Sequence, residues 1–252
     1  TAKAVIEKGL NAWAKAGDKA SFDYPKLPEL QPAKIYLVDK PGAAQSVFNI
    51  GLPGPPRNTP DFFAIQVMNT ILGGQFQSRL NANLREQKGY SYGANSGFGF
   101  GKGPGAFRAG GSIFSAKTDA ALIEFMKELN GIEGDRPVTD EELKTAKDNL
   151  IQGLPARFAS VTAISASITN LAVQNLPDDY YQNYAKNISA VTKDDLLRVA
   201  KKYIDLDHLA IVIVGDRSLV EGPLKATNIA PIMILDVEGN PVAVGGSGST
   251  NR

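Results

Sequence analysis

The chain has 252 residues, 43% hydrophobic and 21% charged, with 27 Lys and Arg against 26 Asp and Glu for a formal charge of +1. That balance excludes the clustered cations that a nucleic-acid backbone requires. No run approaches the roughly 18 consecutive apolar residues that span a bilayer, and Thr1 opens no basic and apolar leader, so neither nucleic acid nor membrane is an expected partner.

There is no cysteine, and His208 is the single histidine. Disulfides, thiolate nucleophiles and Cys-ligated zinc are therefore excluded. A histidine-rich zinc site cannot be built within one such chain, so any catalysis is unusual or shared with another polypeptide.

In chain order, Val5, Ile6, Leu10, Trp13 and Ala14 predict a helix over residues 3–19 that ends near Gly17. Pro25, Pro28 and Pro32 then favour an extended linker. A helix stranded before such a linker reads as the end of a preceding domain, and the chain as a fragment. The division expected is 1–20 terminal helix, 21–32 linker, 33–236 a single domain and 237–252 a flexible tail, with Gly245-Gly246-Ser247-Gly248-Ser249 inside it. The β-branched and apolar segments 33–39 and 45–52 predict two strands, and Lys40-Pro41-Gly42 between them reads as a hairpin turn. Phe63, Val67 and Ile71 predict a helix over 60–72 with Pro60 in its first turn and Gly73-Gly74 as its stop.

A second helix is expected over 77–87 with its stop at Gly89, then paired strands over 91–100 and 106–116. The period next changes from 2 to 3.6, predicting helices over 119–129, 139–158, 160–173, 178–187 and 192–203. Thr139-Asp140-Glu141-Glu142 and Thr192-Lys193-Asp194-Asp195 are capping-box starts. Residues 209–214 return as a buried strand. Strands and helices, then a helical run, then a strand argue an α+β fold with a mostly antiparallel sheet packed against a run of helices.

Gly97-Phe98-Gly99-Phe100-Gly101-Lys102-Gly103 is followed by Pro104 and another strand, so it is a glycine-rich hairpin end and not a phosphate loop. His208 stands at a turn edge with no second imidazole to join it. The acids of the helical run sit at helix starts and exposed faces, and no spacing singles out a catalytic pair.

The segment from Leu72 to Tyr92 holds the strongest functional signal. Arg79 and Arg85 are six residues apart, on opposing sides of a helix at about 100° per residue, so one of them faces a given cleft. A helix, a tight turn at Gly89 and a strand can fold Tyr92 back beside Arg85, offering a fixed cation and a phenolic donor to an oxyanion. The plain alternative is an Arg paired to an acid and a Tyr packed on the core.

Gly73-Gly74, Ser78-Arg79-Leu80, Leu84-Arg85-Glu86 and Gly89-Tyr90-Ser91-Tyr92 together resemble the second-half signature of the pitrilysin/insulinase family of zinc peptidases. That family includes mitochondrial processing peptidase and the respiratory-complex core proteins. The resemblance runs from about Ala33 to Leu235 and implies catalytic roles for Arg85 and Tyr92. The family's zinc-binding half carries a His-Xaa-Xaa-Glu-His helix; here the corresponding helix, 62–72, is apolar. The resemblance therefore implies no cofactor in this chain and a zinc-binding partner that carries the His-Xaa-Xaa-Glu-His helix and acts on a peptide substrate. It also implies export for a bacterial two-part member, hence a periplasmic location. Two other readings stand beside it: an inactive structural or assembly subunit like the core proteins, and a self-contained metal-free hydrolase.

Overall fold

The computed structural model describes residues 1–14, 23–24 and 26–242. The helix end expected near Gly17, Pro25 of the linker and the tail from Gly245 to Ser249 lie outside the described residues. Helix α1 (Ala2–Ala14) leaves Val5, Ile6 and Leu10 exposed, and residues 26–33 have no regular structure.

The body begins with β1 (Lys34–Asp39), β2 (Gln45–Gly54) and α2 (Phe62–Leu72). A short helical turn, α3 (Arg79–Asn81), widens into a π turn over Ala82–Gln87, and Gly89 at φ +62° turns the chain into β3 (Ser91–Phe98) and β4 (Gly105–Phe114). The helical run comprises α4 (Thr118–Asn130), α5 (Asp140–Gln152), α6 (Val161–Gln174), α7 (Tyr180–Ala190) and α8 (Lys193–Tyr203). The chain closes on β5 (Ala210–Gly215), α9 (Arg217–Ala226) and β6 (Ile232–Leu235).

The six strands form one mixed sheet in the order β3-β4-β2-β5-β1-β6, with three antiparallel and two parallel pairings, so the fold is α+β and mostly antiparallel. On β2, Phe48, Ile50 and Leu52 point into the core while Val47, Asn49 and Pro53 face outward. On β4, Phe107, Ala109 and Ile113 continue the same inner face. Period-two patterning buries one side of the sheet against the helices; Phe48 meets Phe125 of α4 with ring centroids 5.6 Å apart.

One sequence expectation is corrected here. β1 and β2 do not form a hairpin, because β5 lies between them: Ile211 is opposite Ile35 in parallel register and opposite Ile50 in antiparallel register. The turn at Lys40-Pro41-Gly42 serves the inserted strand, since Lys40 N donates to Gly215 O (2.8 Å) and Gly42 N to Asp216 Oδ2 (2.8 Å). An almost wholly apolar strand such as β5 is stable only with both edges paired and its inner face covered.

Both capping boxes form. Glu142 N donates to Thr139 Oγ1 (3.1 Å) and Asp195 N to Thr192 Oγ1 (3.1 Å). The helix expected over 139–158 stops at Gln152 and gives way to a 3₁₀ turn over Leu154–Phe158, because Gly153 favours the coil and Pro155 has no N–H to continue the ladder. α9 and β6 have no counterpart among the sequence expectations.

Asp61 fixes the start of α2 to α8. Its carboxylate is buried and accepts hydrogen bonds from Arg198 Nη1 (2.6 Å), Lys202 Nζ (2.8 Å) and Tyr203 Oη (2.7 Å). Burial opposes the charge, but the three donors outweigh it and hold the carboxyl at about 2, below its ordinary 3.8. A depressed folded-state value gives stability that is present above the unfolded value and lost as pH falls through the folded one. Asp61→Asn should therefore lower unfolding free energy at pH 7 by about 2 kcal/mol and flatten the acid limb below about pH 4. Urea titrations across pH 2 to 7 measure both effects, and an unchanged acid limb would place the linkage elsewhere.

Candidate functional site

The helical turn, the Gly89 reversal and β3 make one continuous hook. Lys88 N donates to Asn83 O (3.0 Å), Gly89 N to Arg85 O (3.1 Å) and Tyr90 N to Leu84 O (2.8 Å), closing the π turn before the strand starts. Single π turns of this kind are frequent at functional positions. At the start of β3 the pairing with β4 slips: Ser91 is opposite Ile113 and Ala94 opposite Gly111, so Tyr92 and Gly93 together face Ser112. Two residues against one is a β-bulge, which bends the strand and re-aims a side chain. Ser91 holds it, its Oγ donating to Ser112 O (2.8 Å) and accepting from Gly93 N (2.9 Å).

The bulge carries Tyr92 outward, 76% exposed, with its ring edge-on to Phe114 at 5.5 Å between centroids. Its hydroxyl has no hydrogen-bond partner among the described residues. Arg85 and Tyr92 line the same open cavity of about 350 Å³, together with Gly73, Gly74, Phe76 and Asn81. The Arg85 guanidinium lies 4.5 Å from the Phe76 ring centroid, and its Nε is 3.2 Å from Glu86 Oε1. Both partners of that ion pair are substantially exposed, so water screens it and the guanidinium keeps donors available to the cavity. The structure brings Arg85 and Tyr92 to one cavity.

Arg79 has the opposite fate. It is 7% exposed, and its Nε and Nη2 bond Glu142 Oε1 (2.7 Å) and Oε2 (2.8 Å) while Nη1 donates to Arg136 O (2.8 Å). Glu142 keeps its charge despite partial burial, chiefly because Arg79 and Thr139 bond it, and its carboxyl stays below the ordinary value.

Asn81 lines the cavity, and Asn69 and Ser96 brace its Gly73 wall against β3. Asn81 Oδ1 accepts from Ala94 N (3.2 Å) and its Nδ2 donates to Phe76 O (2.8 Å), tying the hook to both walls. Asn69 near the end of α2 donates from Nδ2 to Ser96 O (3.2 Å) and accepts from Ser96 Oγ (2.8 Å), while Ser96 N donates to Gly73 O (3.0 Å). A Cβ on Gly73 would collide with the Ser96 backbone N and lie 2.8 Å from Asn95 C, which is why that residue of the glycine pair has no side chain. The one sequence signal is Asn69, one turn before the Gly73-Gly74 stop of α2.

The other candidates are structural. His208 Nδ1 is 2.7 Å from Asp205 Oδ2 at the turn before β5. The glycine-rich segment joins β3 to β4, its Gly101 O accepting from Arg57 N (2.8 Å). The donor set does not fit a zinc ion: there is one imidazole, α2 presents Phe, Ala, Ile, Val and Met where ligands would stand, and no cluster of three His, Asp or Glu able to hold a metal occurs among the described residues.

Residues 1–150 match the family described as the peptidase M16 inactive domain. A curated relative, the non-peptidase homologue YmxG of Helicobacter pylori, is 24% identical over 157 residues, covering 62% of this chain and 36% of that protein. The fold is similar to a peptidase M16 inactive domain of Pseudomonas fluorescens (TM-score 0.70, 24% identity, 78% of this chain and 47% of that one). It is also similar to a protease of H. pylori (TM-score 0.72, 22% identity, 85% and 52%). A chain of complex III from Candida albicans superposes at TM-score 0.64, with 14% identity over 80% of this chain and 50% of that one. The chain thus spans about a third of the curated relative and about half of these structures.

Because Gly73 packs directly on backbone, Gly73→Ala should destabilise the fold by about 1–3 kcal/mol, as overpacking does. A shifted urea midpoint with an unchanged slope would register it, whereas an unchanged midpoint would mean that α2 and β3 separate easily.

Proposed function

This chain belongs to the inactive-domain family of the M16 peptidases, and from that premise we propose that it is the non-metal-binding component of a two-part zinc peptidase. In this reading Arg85 and Tyr92 act on a peptide held at the zinc site of a partner that carries the His-Xaa-Xaa-Glu-His helix. The supporting observation is that Tyr92, bulged out of its strand with an unpartnered hydroxyl, shares a cavity with an Arg whose donors are not consumed by a buried acid.

The chemistry follows from the donors. Attack on a peptide carbonyl places negative charge on its oxygen, and a phenolic O–H held at a fixed position stabilises that charge more than it stabilises the neutral carbonyl. Arg85, stacked on Phe76, offers N–H groups that orient the substrate main chain or share the developing charge. Zinc and its water belong wholly to the partner. We take residues 1–20 as the end of a preceding domain, a division supported by the exposed apolar stripe of α1 and by relatives of greater length.

The second reading is an inactive assembly subunit. Similarity to a protein named as a non-peptidase homologue and to a complex III chain favours it. One experiment separates the two. Peptide cleavage is measured, with and without a zinc chelator, in the assembly captured from source cells on a full-length version of this chain. The peptidase reading expects chelator-sensitive turnover that falls about 100-fold or more in Tyr92→Phe, roughly 3 kcal/mol of transition-state stabilisation. Tyr92 is exposed, so the melting temperature should not move. A loss of tenfold or less would remove Tyr92 from the chemistry, and a captured partner with no cleavage would establish the assembly reading.

A further inference from the structure

At the other end of α2 from the Arg85 cavity lies a buried cation with no anion. Arg57, in the loop between β2 and α2, is 8% exposed. Its guanidinium carbon sits 3.4 Å from the Phe62 ring centroid and 5.2 Å from that of Tyr180, so aromatic rings cover its faces. Its N–H edge reaches the Tyr180 hydroxyl, yet the side chain makes no ion pair among the described residues, and Nη2 is buried without an acceptor. Burial alone presses its pKa down, while the neighbouring tyrosines favour the charge. Cation–π contact offsets only part of what a guanidinium loses on leaving water, and a buried charge normally has a counter-charge.

The space beside it has the composition of a receptor for that counter-charge. A cavity of about 230 Å³ is lined by Arg57 and Arg157, with Tyr180, Tyr184, Gln66 and Gln174 around them. No Asp or Glu is among its lining residues, and Arg157 likewise has no ion pair among the described residues. Two guanidinium groups, amides and phenols converge there without a carboxylate to balance them. The buried acid four residues further along the chain, Asp61, is engaged by Arg198, Lys202 and Tyr203.

We propose that this pocket binds a carboxylate presented on a compact apolar or aromatic body, such as the terminal or acidic residue of a peptide. The planar N–H edge of Arg57 matches a carboxylate in the two-point geometry that such pairs adopt. The rings of Phe62 and Tyr180 that cover the cation supply apolar walls for the rest of the ligand. A monoanion suits these walls better than a doubly charged phosphate, whose desolvation is costlier. The volume is below the roughly 300–1,000 Å³ of drug-sized sites and admits one residue-sized group. The proposal is independent of the role of Arg85 and Tyr92, which line a different cavity.

The test is calorimetric titration of this chain with N-acetyl-phenylalanine, its primary amide, an acetylated and amidated Gly-Glu-Gly peptide, and inorganic phosphate. Binding of N-acetyl-phenylalanine or of the Glu peptide, with the amide at least tenfold weaker than its acid, is expected. Which of the two binds assigns the carboxylate to a chain terminus or to an acidic side chain, and either supports the site. Arg157→Gln should weaken binding about tenfold without moving the melting temperature, because Arg157 is exposed. Arg57→Lys, which keeps the charge but not the planar edge, should weaken it further. Equal binding of acid and amide, binding of phosphate alone, no binding of any probe, or indifference to Arg157→Gln would each overturn the proposal.

Discussion

The hook that presents Arg85 and Tyr92 depends on the burial of Arg79. A guanidinium reaches into the protein only when its donors are met, and here both oxygens of Glu142 and two carbonyls meet them. Glu142 is itself fixed, since its Oε2 accepts from Thr139 N (2.9 Å) in the capping box of α5. The helix start, the ion pair and the π turn are therefore one unit: a cap residue orients the acid, the acid anchors Arg79, and the anchored turn sends Arg85 out on the opposite side. Breaking such a pair from one side leaves an uncompensated buried charge, worth about 3–5 kcal/mol. The exposed pair of Arg85 with Glu86 carries no comparable penalty, which is why one arginine is committed to structure and the other is available for chemistry.

The second constraint is the route of the sheet. β5 returns after a long helical run to fill the gap between two strands that are neighbours in sequence. Helix-rich segments must pack on one face while that gap stays open for a strand completed late in the chain. This explains why the strands and the adjacent β3–β4 pairing are legible locally while the separation of β1 from β2 is not. Alternation in residues 45–52 and the apolar run at 209–214 identify strands from side-chain period alone, but period says nothing about which edge meets which. The turn at Lys40-Pro41-Gly42 looked like a hairpin because proline and glycine punctuate any sharp reversal, whether the flanking strands pair or straddle a third. α9 escaped notice because Pro223 interrupts its pattern, and β6 because four residues on a sheet edge leave little periodicity.

At the site the same division holds. Helical pitch separates Arg79 from Arg85, and the glycine at 89 predicts the reversal; both are local facts and both are present. The bulge at Tyr92-Gly93 is not local. It exists because β4 offers glycine at 111, where a Cβ would crowd Gly93 O and lie 3.3 Å from Ala94 Cα. A helix, a tight turn and a strand can bring Tyr92 back beside Arg85; the strand itself has one extra residue opposite Ser112, and the Tyr92 ring stands outward there. Asn69 and Asn81 were illegible for a related reason. Asn is common at turns and helix ends, and only the finished packing shows that these two satisfy backbone and side-chain groups of β3 that would otherwise stand unpaired on a sheet edge.

The two buried arginines complete the argument by contrast. Arg79 and Arg57 are buried to nearly the same degree, at 7% and 8% exposure, yet one holds a carboxylate in both hands and the other holds none. Folding explains the first, because every donor is answered from within the chain. Folding alone does not explain the second, since an apolar residue packed between Phe62 and Tyr180 would fill the same space without the desolvation that a charge incurs. A buried charge whose only neighbours are aromatic rings and phenols, beside a cavity free of acids and next to a second arginine without an ion pair, is what the proposed external carboxylate would balance.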